Sequence, residues 1–380
     1  MESKTRRGGE GGYTLLELMM TVAIIGLITP AITFLFTKMT QGMAADEMRN
    51  QMVTLNEKSL LRIHERVLSS RHMCQQDVSG TTYQAAVLAG MSAQTLANFP
   101  ILTGSKLPIS QSSGSFSPLA ASSANFGNSL LFGAYDGPEV LYGTWGGPPK
   151  VNYTAPVTVQ GASITYSGTA NLPATMVIDL YRFYYYYLAA PVITSVSRPV
   201  TCYKLIEWQS VQYADYNELS GITDSNLQTN IFKYLINSAN FSSGVAVTRA
   251  WDPTQGTASN GLYTITAAGL VALSAGNAAV IPEAQCLPVT RINTGILSSG
   301  YTYGVCPNTL SWKNCPLTVP KFNSWPASAT ILYPGGFETG LSGSSLGMEL
   351  LVRSALVAKG ATPLPISNDS TIISNIRDVW

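Results

Sequence analysis

The protein is a chain of 380 residues with 22 basic and 21 acidic side chains, so its formal net charge at pH 7 is +1. Charged residues make up 11% of the chain, against roughly 25% in a typical globular protein, which argues strongly against a nucleic-acid binder that relies on a basic stripe. Hydrophobic residues reach 46%, which excludes intrinsic disorder, and the 33 glycines and 21 prolines favour turn-rich β structure.

A charge-free apolar run occupies residues 18–36, after a short polar segment in which Lys4, Arg6 and Arg7 are basic. As a helix, the run would be about 28 Å long, close to the roughly 30 Å hydrocarbon core of a bilayer. Basic residues precede the run more densely than they follow it, so we expect a cytoplasmic N-terminus. A cleaved secretory signal is one alternative, although the residues after the run form only a poor cleavage site. A plain signal anchor is a second alternative, and hydropathy leaves it open.

Glu17 lies at the very start of this apolar segment. Burying an unpaired carboxylate there costs several kcal/mol. An ionisable side chain in a membrane segment therefore predicts a functional site.

The residues around Glu17 resemble a known export signal. Gly12, then YTLLELM from Tyr13, then an uninterrupted apolar helix is similar to the class III signal of type IV pilins and type II secretion pseudopilins. The resemblance implies that a prepilin peptidase cuts between Gly12 and Tyr13 on the cytoplasmic side and that the new amine is methylated. It also implies that Glu17, the fifth mature residue, neutralises the terminal amine of a neighbouring subunit as helices stack in a filament.

The match covers about 14 residues, so it concerns export and assembly more than the remainder of the chain. The sequence also departs from the family pattern. The family often has a proline about one turn further along than Pro30. We expect a local bend or melt near Thr29–Pro30, because proline removes a backbone donor and kinks a helix.

Beyond the apolar run, polar and apolar residues mix with helical spacing. This pattern predicts one long helix from Tyr13 to Gln76, transmembrane over about residues 15–36 and amphipathic afterwards. Residues 1–12 would be the leader peptide. Residues 77–380 would form a β-rich globular head with an inserted subdomain at about 209–330. The predicted fold class is α+β, with the long helix packed on an antiparallel sheet that carries large loop insertions.

Four segments are rich in strand-forming residues and predict the head's sheet. Met176–Leu188 and Thr201–Trp208 are predicted partners, and Leu346–Leu356 and Thr371–Arg377 are predicted closing strands. A tyrosine-rich strand followed by a shorter aromatic and aliphatic one resembles the sheet of minor pilins and J-type pseudopilins. The run Tyr184–Tyr187 also invites a ligand-stacking interpretation, but alternate strand residues face opposite sides, which favours cross-strand packing and partial exposure.

The chain has five cysteines, which would meet an oxidising compartment if the head is exported. Cys306 and Cys315 flank a short loop and form the best local candidate for a disulfide, whereas the remaining connectivity is open. His64, His72 and Cys74 lack the spacing of a metal site and are interpreted as surface residues near the helix end. No metal or other cofactor is predicted.

Two further patterns point to chemistry only weakly. Oxygen-bearing side chains cluster without matching a calcium-loop signature, and we interpret them as solvated loop residues: Asp215, Asn217, Glu218 and Asp224. Gly343-x-Ser345-x-Gly347 matches the nucleophile elbow of hydrolases, but that motif needs a histidine downstream and both histidines lie upstream. We therefore predict that the protein is not an enzyme.

The sequence-based hypothesis is a minor structural subunit of a type IV pilus or a type II secretion pseudopilus. The expected partners are other pilin or pseudopilin subunits, the prepilin peptidase, an inner-membrane assembly platform and the lipid bilayer, with no nucleic acid. The expected location is the inner membrane, with a cytoplasmic N-terminus and a periplasmic head, and then the filament. The alternatives are a pilus-tip adhesin or other ligand-binding component on the same export route, and a signal-anchored protein with an unrelated head.

Overall fold

The computed structural model describes residues 14–102, 105–111, 127–142, 157–159, 162–164, 175–189, 204–223, 225–241, 243–273, 279–289, 302–305, 337–344, 347–359 and 366–376. The helices are α1 (Leu15–Leu68), α2 (Val78–Gly90), α3 (Ala93–Asn98), α4 (Tyr216–Ser220), α5 (Ser225–Leu235) and α6 (Ala258–Gly261). The strands are β1 (Ser70–Cys74), β2 (Ser110–Gln111), β3 (Leu130–Tyr142), β4 (Val157–Val159), β5 (Ala162–Ile164), β6 (Thr175–Ala189), β7 (Lys204–Ser210), β8 (Tyr213–Asp215), β9 (Arg249–Trp251), β10 (Leu262–Thr266), β11 (Gly269–Ala272), β12 (Glu283–Pro288), β13 (Thr302–Val305), β14 (Phe337–Ser344), β15 (Gly347–Lys359) and β16 (Ile366–Ile376). The chain divides into two compact units, Met1–Gln51 and Met52–Trp380.

The first unit contains the apolar part of α1. The stretch Leu15–Met43 is 29 residues long with a mean hydropathy of 2.2, and none of it is buried. By length and composition it can cross a membrane, although hydropathy alone also fits a signal sequence near an N-terminus. The helix is continuous through Pro30, so the bend near that residue stays a prediction.

The prediction that one helix extends to Gln76 was wrong over its last part. Helix α1 ends at Leu68, and Ser70–Cys74 forms strand β1 instead. This strand pairs antiparallel with β3, with Met73 opposite Phe132. Burial of most of the segment in a sheet outweighs its local helical pattern, because strand preference depends on packing against partners that are distant in sequence.

The first sheet of the second unit has nine strands and is built around β6. Its order is β1-β3-β6-β8-β9-β10-β11, with β7 also paired to β6 and β12 paired to β7. All of its pairings are antiparallel except that of β8 with β9. The predicted partnership of the two aromatic strands is confirmed, because β6 and β7 pair with Tyr185 opposite Trp208.

The second sheet has five strands in the order β13-β15-β14-β2, with β16 on the other edge of β15. The two predicted closing strands are confirmed as β15 and β16, which pair antiparallel along eleven residue pairs. A long apolar helix together with two mostly antiparallel sheets confirms the coarse α+β prediction. The described residues between 209 and 289 continue the first sheet through β8–β12.

Strand β6 separates two parts of the core because its side chains alternate between faces. Tyr184 and Tyr186 cluster with Leu60 and Ile63 from α1. Tyr185 and Tyr187 cluster on the other side with residues of α2, including Val87. A third cluster, at the start of β6, is formed with α5.

Candidate functional site: the start of the apolar helix

Glu17 and Thr14 form reciprocal hydrogen bonds at the first turn of α1. The backbone N–H of Thr14 donates to Glu17 Oε2 at 3.0 Å, and the hydroxyl of Thr14 donates to the same oxygen at 3.1 Å. In return, the backbone N–H of Glu17 donates to Thr14 Oγ1 at 3.3 Å. This reciprocal arrangement is a capping box, with Thr14 as N-cap and Glu17 three residues further on.

The capping box satisfies two backbone donors that an α-helix otherwise leaves without partners at its N-terminus. It also places a carboxylate at the positive end of the helix dipole, where negative charge is stabilised. This role of Glu17 was not predicted, although the pattern Thr14-x-x-Glu17 before an apolar run is the signature of such a cap.

The capping contacts leave Glu17 accessible to a second partner. Both donors from Thr14 approach Oε2, and within the described part of the chain no hydrogen bond reaches Oε1. Every side chain from Thr14 to Met43 is exposed. The carboxylate can therefore accept a further donor from outside the chain without giving up its cap.

The apolar helix carries threonines whose hydroxyls are satisfied within the helix itself. Each donates to the carbonyl four residues earlier, at 2.7–2.9 Å: Thr21, Thr29, Thr33, Thr37 and Thr40. Such bonds remove the cost of placing an unpaired hydroxyl in lipid. Because Pro30 has no N–H, the carbonyl of Gly26 lacks its regular helical donor. None of these threonine hydroxyls donates to the Gly26 carbonyl.

A lysine follows the C-terminal end of the apolar run. The ammonium of Lys38 lies 5.6 Å from the centre of the Phe34 ring. A lysine with its stem along apolar surface and its charge beside an aromatic ring is typical of a membrane interface.

The second half of α1 contacts the first sheet through a buried carboxylate. Arg62 pairs with Glu207, which is 1% exposed, and the hydroxyl of Tyr186 donates to the same carboxylate at 3.0 Å. The side-chain amide of Gln209 also donates to Glu207. One turn along the helix, the guanidinium of Arg66 lies 5.0 Å from the centre of the Tyr184 ring. These contacts fix residues of α1 beyond Met52 on the face of β6 that carries the even-numbered tyrosines.

Two predictions about side-chain exposure were wrong. Each member of the run Tyr184–Tyr187 is at most 1% exposed, so these rings are packed in the core instead of partly exposed. Cys74 and His72 are 1% and 3% exposed, in β1 instead of on a surface. The ring of His72 lies 5.3 Å from that of Tyr83, and burial lowers the pKa of His72 to about 4. Its partner in the prediction, His64, is half-buried, with Nδ1 2.5 Å from Ser374 Oγ.

The interpretation of the calcium candidates as solvated loop residues was wrong for Asp215, which is buried and ends strand β8. Asp215 caps α4 by accepting from the N–H groups of Asn217 and Glu218, and it accepts from the hydroxyl of Tyr181 at 2.9 Å. Glu218 accepts from the N–H of Asp179 at 2.9 Å. No group of three metal-binding side chains occurs within the described ranges.

The two glycines of the hydrolase-like match lie in neighbouring antiparallel strands. Gly343 is in β14, Gly347 begins β15, and Ser344 pairs with Gly347. A nucleophile elbow requires a strand followed by a helix, so this match lacks its structural context. Several predicted residues lie outside the described residues: Gly12, Tyr13, Asp224, Cys306, Cys315 and Ser345.

No family model, curated protein or solved structure matches this chain.

Proposed function

We propose that the protein is a minor structural subunit of a type IV pilus or a type II secretion pseudopilus. It is held in the inner membrane by α1, trimmed between Gly12 and Tyr13, and assembled by stacking of the apolar helix against those of other subunits. Its role is mechanical assembly without catalysis.

The observation that carries the proposal is a wholly exposed apolar helix of 29 residues with a carboxylate at its first turn. Fully burying one large apolar side chain is worth roughly 1.5–3 kcal/mol, so this surface requires lipid or other helices around it. A simple anchor would account for the apolar surface. In a simple anchor the carboxylate would serve the cap alone, whereas in a bundle of stacked helices it would also compensate the charge of a neighbouring cation.

The capping box is compatible with the assembly role, which requires that one oxygen of Glu17 stay accessible to a neighbouring subunit. One oxygen of Glu17 is occupied within the subunit by Thr14, and the other is accessible. A methylated terminal ammonium from a neighbouring subunit would form a charge-assisted hydrogen bond with the accessible oxygen. The cap would then orient the carboxylate before the neighbour arrives.

The decisive experiment is mass spectrometry of the N-terminal peptide of the full-length protein isolated from the membranes of its own host. The proposal expects a mature chain that starts at an N-methylated Tyr13. The matched control is Gly12→Val, which should retain residues 1–12 because the resemblance places the cut after that glycine. An intact N-terminal segment in the unsubstituted protein, or a cut after the apolar helix, would overturn the proposal and favour a signal anchor or a secreted protein.

A further inference from the structure

A cleft of about 350 Å³ lies on the face of the first sheet against which α1 and α5 pack. On the even-numbered face of β6, Tyr184 and Tyr186 pack against α1, whereas Ile178 and Leu180 pack in the cluster that contains α5. Arg182 lies between these two sets on the same face. Arg182 lines the cleft, and none of the described lining residues belongs to α1 or α5.

A β-bulge contacts two polar residues that line the cleft, Arg182 and Gln212. The pairing of β3 with β6 shifts between Tyr135 and Gly137, so Asp136 is the extra residue, and Gly137 takes a φ of +113°. Arg182 Nε lies 2.6 Å from Asp136 Oδ2, and the side-chain amide of Gln212 donates to the same oxygen at 2.8 Å. Bulges re-aim side chains in this manner and are over-represented next to active sites. The contacts with Asp136 hold Arg182 and Gln212 in place, and the charge of Arg182 is already compensated.

A carboxylate that lines the cleft lacks such compensation. Glu139, three residues after the bulge, lines the cleft and is half-buried. Across the described ranges of the chain it takes part in no ion pair and accepts no hydrogen bond. Desolvation raises its pKa above the ordinary value for a glutamate. Among the described residues, the cleft thus has one carboxylate without a cationic partner.

The cleft is also lined by apolar side chains. Val211, Phe241 and Val245 are among the lining residues, and Val245 is 56% exposed, so an occupant would remove that surface from water. A carboxylate together with apolar lining residues matches a side chain that has an aliphatic stem and a cationic head.

We propose that this cleft binds a lysine or arginine side chain of a partner polypeptide, with the cationic head at Glu139 and the methylene stem along Val245 and Phe241. The ion pair with Asp136 holds Arg182 in place and makes no contact with the cationic head. This site is separate from the apolar helix, so the inference goes beyond the proposed filament role.

The test uses the full-length protein in lipid nanodiscs and measures the binding of blocked amino acids by saturation-transfer NMR. The probes are the N-acetyl methylamides of arginine, lysine, norleucine and glutamate. We expect the two basic probes to bind at least about tenfold more tightly than norleucine and glutamate, because a charge-assisted contact at Glu139 is available only to them.

Glu139→Gln should reduce the binding of the basic probes about tenfold, to the level of norleucine, while Glu65→Gln, at an exposed carboxylate on α1, should leave it unchanged. Equal thermal unfolding of the two variants would show that the cleft is folded in both. If no probe binds, if glutamate or norleucine binds as well as arginine, or if Glu139→Gln has no effect, the inference is wrong. None of these outcomes bears on the N-terminal processing that tests the filament proposal.

Discussion

Arg62 on α1 and Glu207 on β7 form an ion pair in which Nη2 and Oε1 lie 2.6 Å apart. The glutamate is almost wholly buried, whereas the arginine side chain keeps 39% of its exposure. The pair therefore joins the helix to the middle of the first sheet and compensates a charge that has been removed from water.

We expect Arg62→Ala to lower the free energy of unfolding by about 2–3 kcal/mol, because Glu207 would be left charged and buried. The expected loss is below the roughly 3–5 kcal/mol of a fully buried pair, because Arg62 is partly solvated. Chemical unfolding of the detergent-solubilised chain measures it. Lys58→Ala, at an exposed residue one turn earlier, is the control and should have little effect. The double variant Arg62→Met with Glu207→Gln should recover at least half of the loss, and a further loss instead would contradict the explanation.

The two roles of Glu17 can be separated by substitution. Glutamine also forms a capping box, so Glu17→Gln should keep the cap and lose the charge. We expect Glu17→Gln and Glu17→Ala both to remain in the membrane and both to lower incorporation into filaments at least about tenfold, the equivalent of about 1.4 kcal/mol. Quantitative immunoblotting of sheared filaments against membranes measures the ratio.

The complementary variant Thr14→Val removes the cap and leaves the charge. If the charge pair governs assembly, this variant should incorporate better than Glu17→Gln. Normal incorporation of Glu17→Gln, with failure of Thr14→Val, would assign the carboxylate to helix capping alone.

His72 should make the second unit, Met52–Trp380, less stable in acid. Burial lowers its pKa from the ordinary 6.5 to about 4, so between these values the unfolded chain binds a proton that the folded chain does not. Stability from this residue is fully present above about pH 6.5 and falls by up to about 3 kcal/mol as the pH decreases to about 4. The difference in unfolding free energy between pH 7 and pH 4.5 should be smaller in His72→Phe than in the unsubstituted protein. His64→Gln is the control, and an equal change in both variants would refute the assignment.

Gly133 faces the ring of Trp251. A Cβ atom at this glycine would lie 2.4 Å from Trp251 Cη2, and Trp251 is fully buried. Since a large buried ring cannot move freely, we expect Gly133→Ala to cost about 1–3 kcal/mol of unfolding free energy. Gly256→Ala, where the nearest atom is 4.0 Å away, should change stability by less than about 0.5 kcal/mol. Similar losses in the two variants would show that crowding is not the cause.

The parts of the fold that could be predicted from the sequence are those with strong local signals. The apolar run before Phe36 and the aromatic strand β6 each carry enough consecutive residues of one kind to specify a helix or a strand. Strand β1 lacked such a signal, because its conformation depends on pairing with β3, more than fifty residues later. The burial of Tyr184–Tyr187 followed from cover on both faces of β6, which no single segment encodes.

The candidate site divides in the same way. The capping box of Thr14 and Glu17 is local, and its pattern was readable. The pair of Asp136 with Arg182 depends on a one-residue shift in the pairing of β3 with β6. The positions of these two residues in the sequence do not indicate that register. Long-range geometry of this kind becomes visible only when the chain is folded.

The threonines of the apolar helix each bond to a carbonyl of their own chain. If the helix passes from lipid into a bundle of helices, as the proposed function requires, these hydroxyls keep their partners within the chain. The transfer then breaks no hydroxyl hydrogen bond, so the threonines add no desolvation cost to assembly.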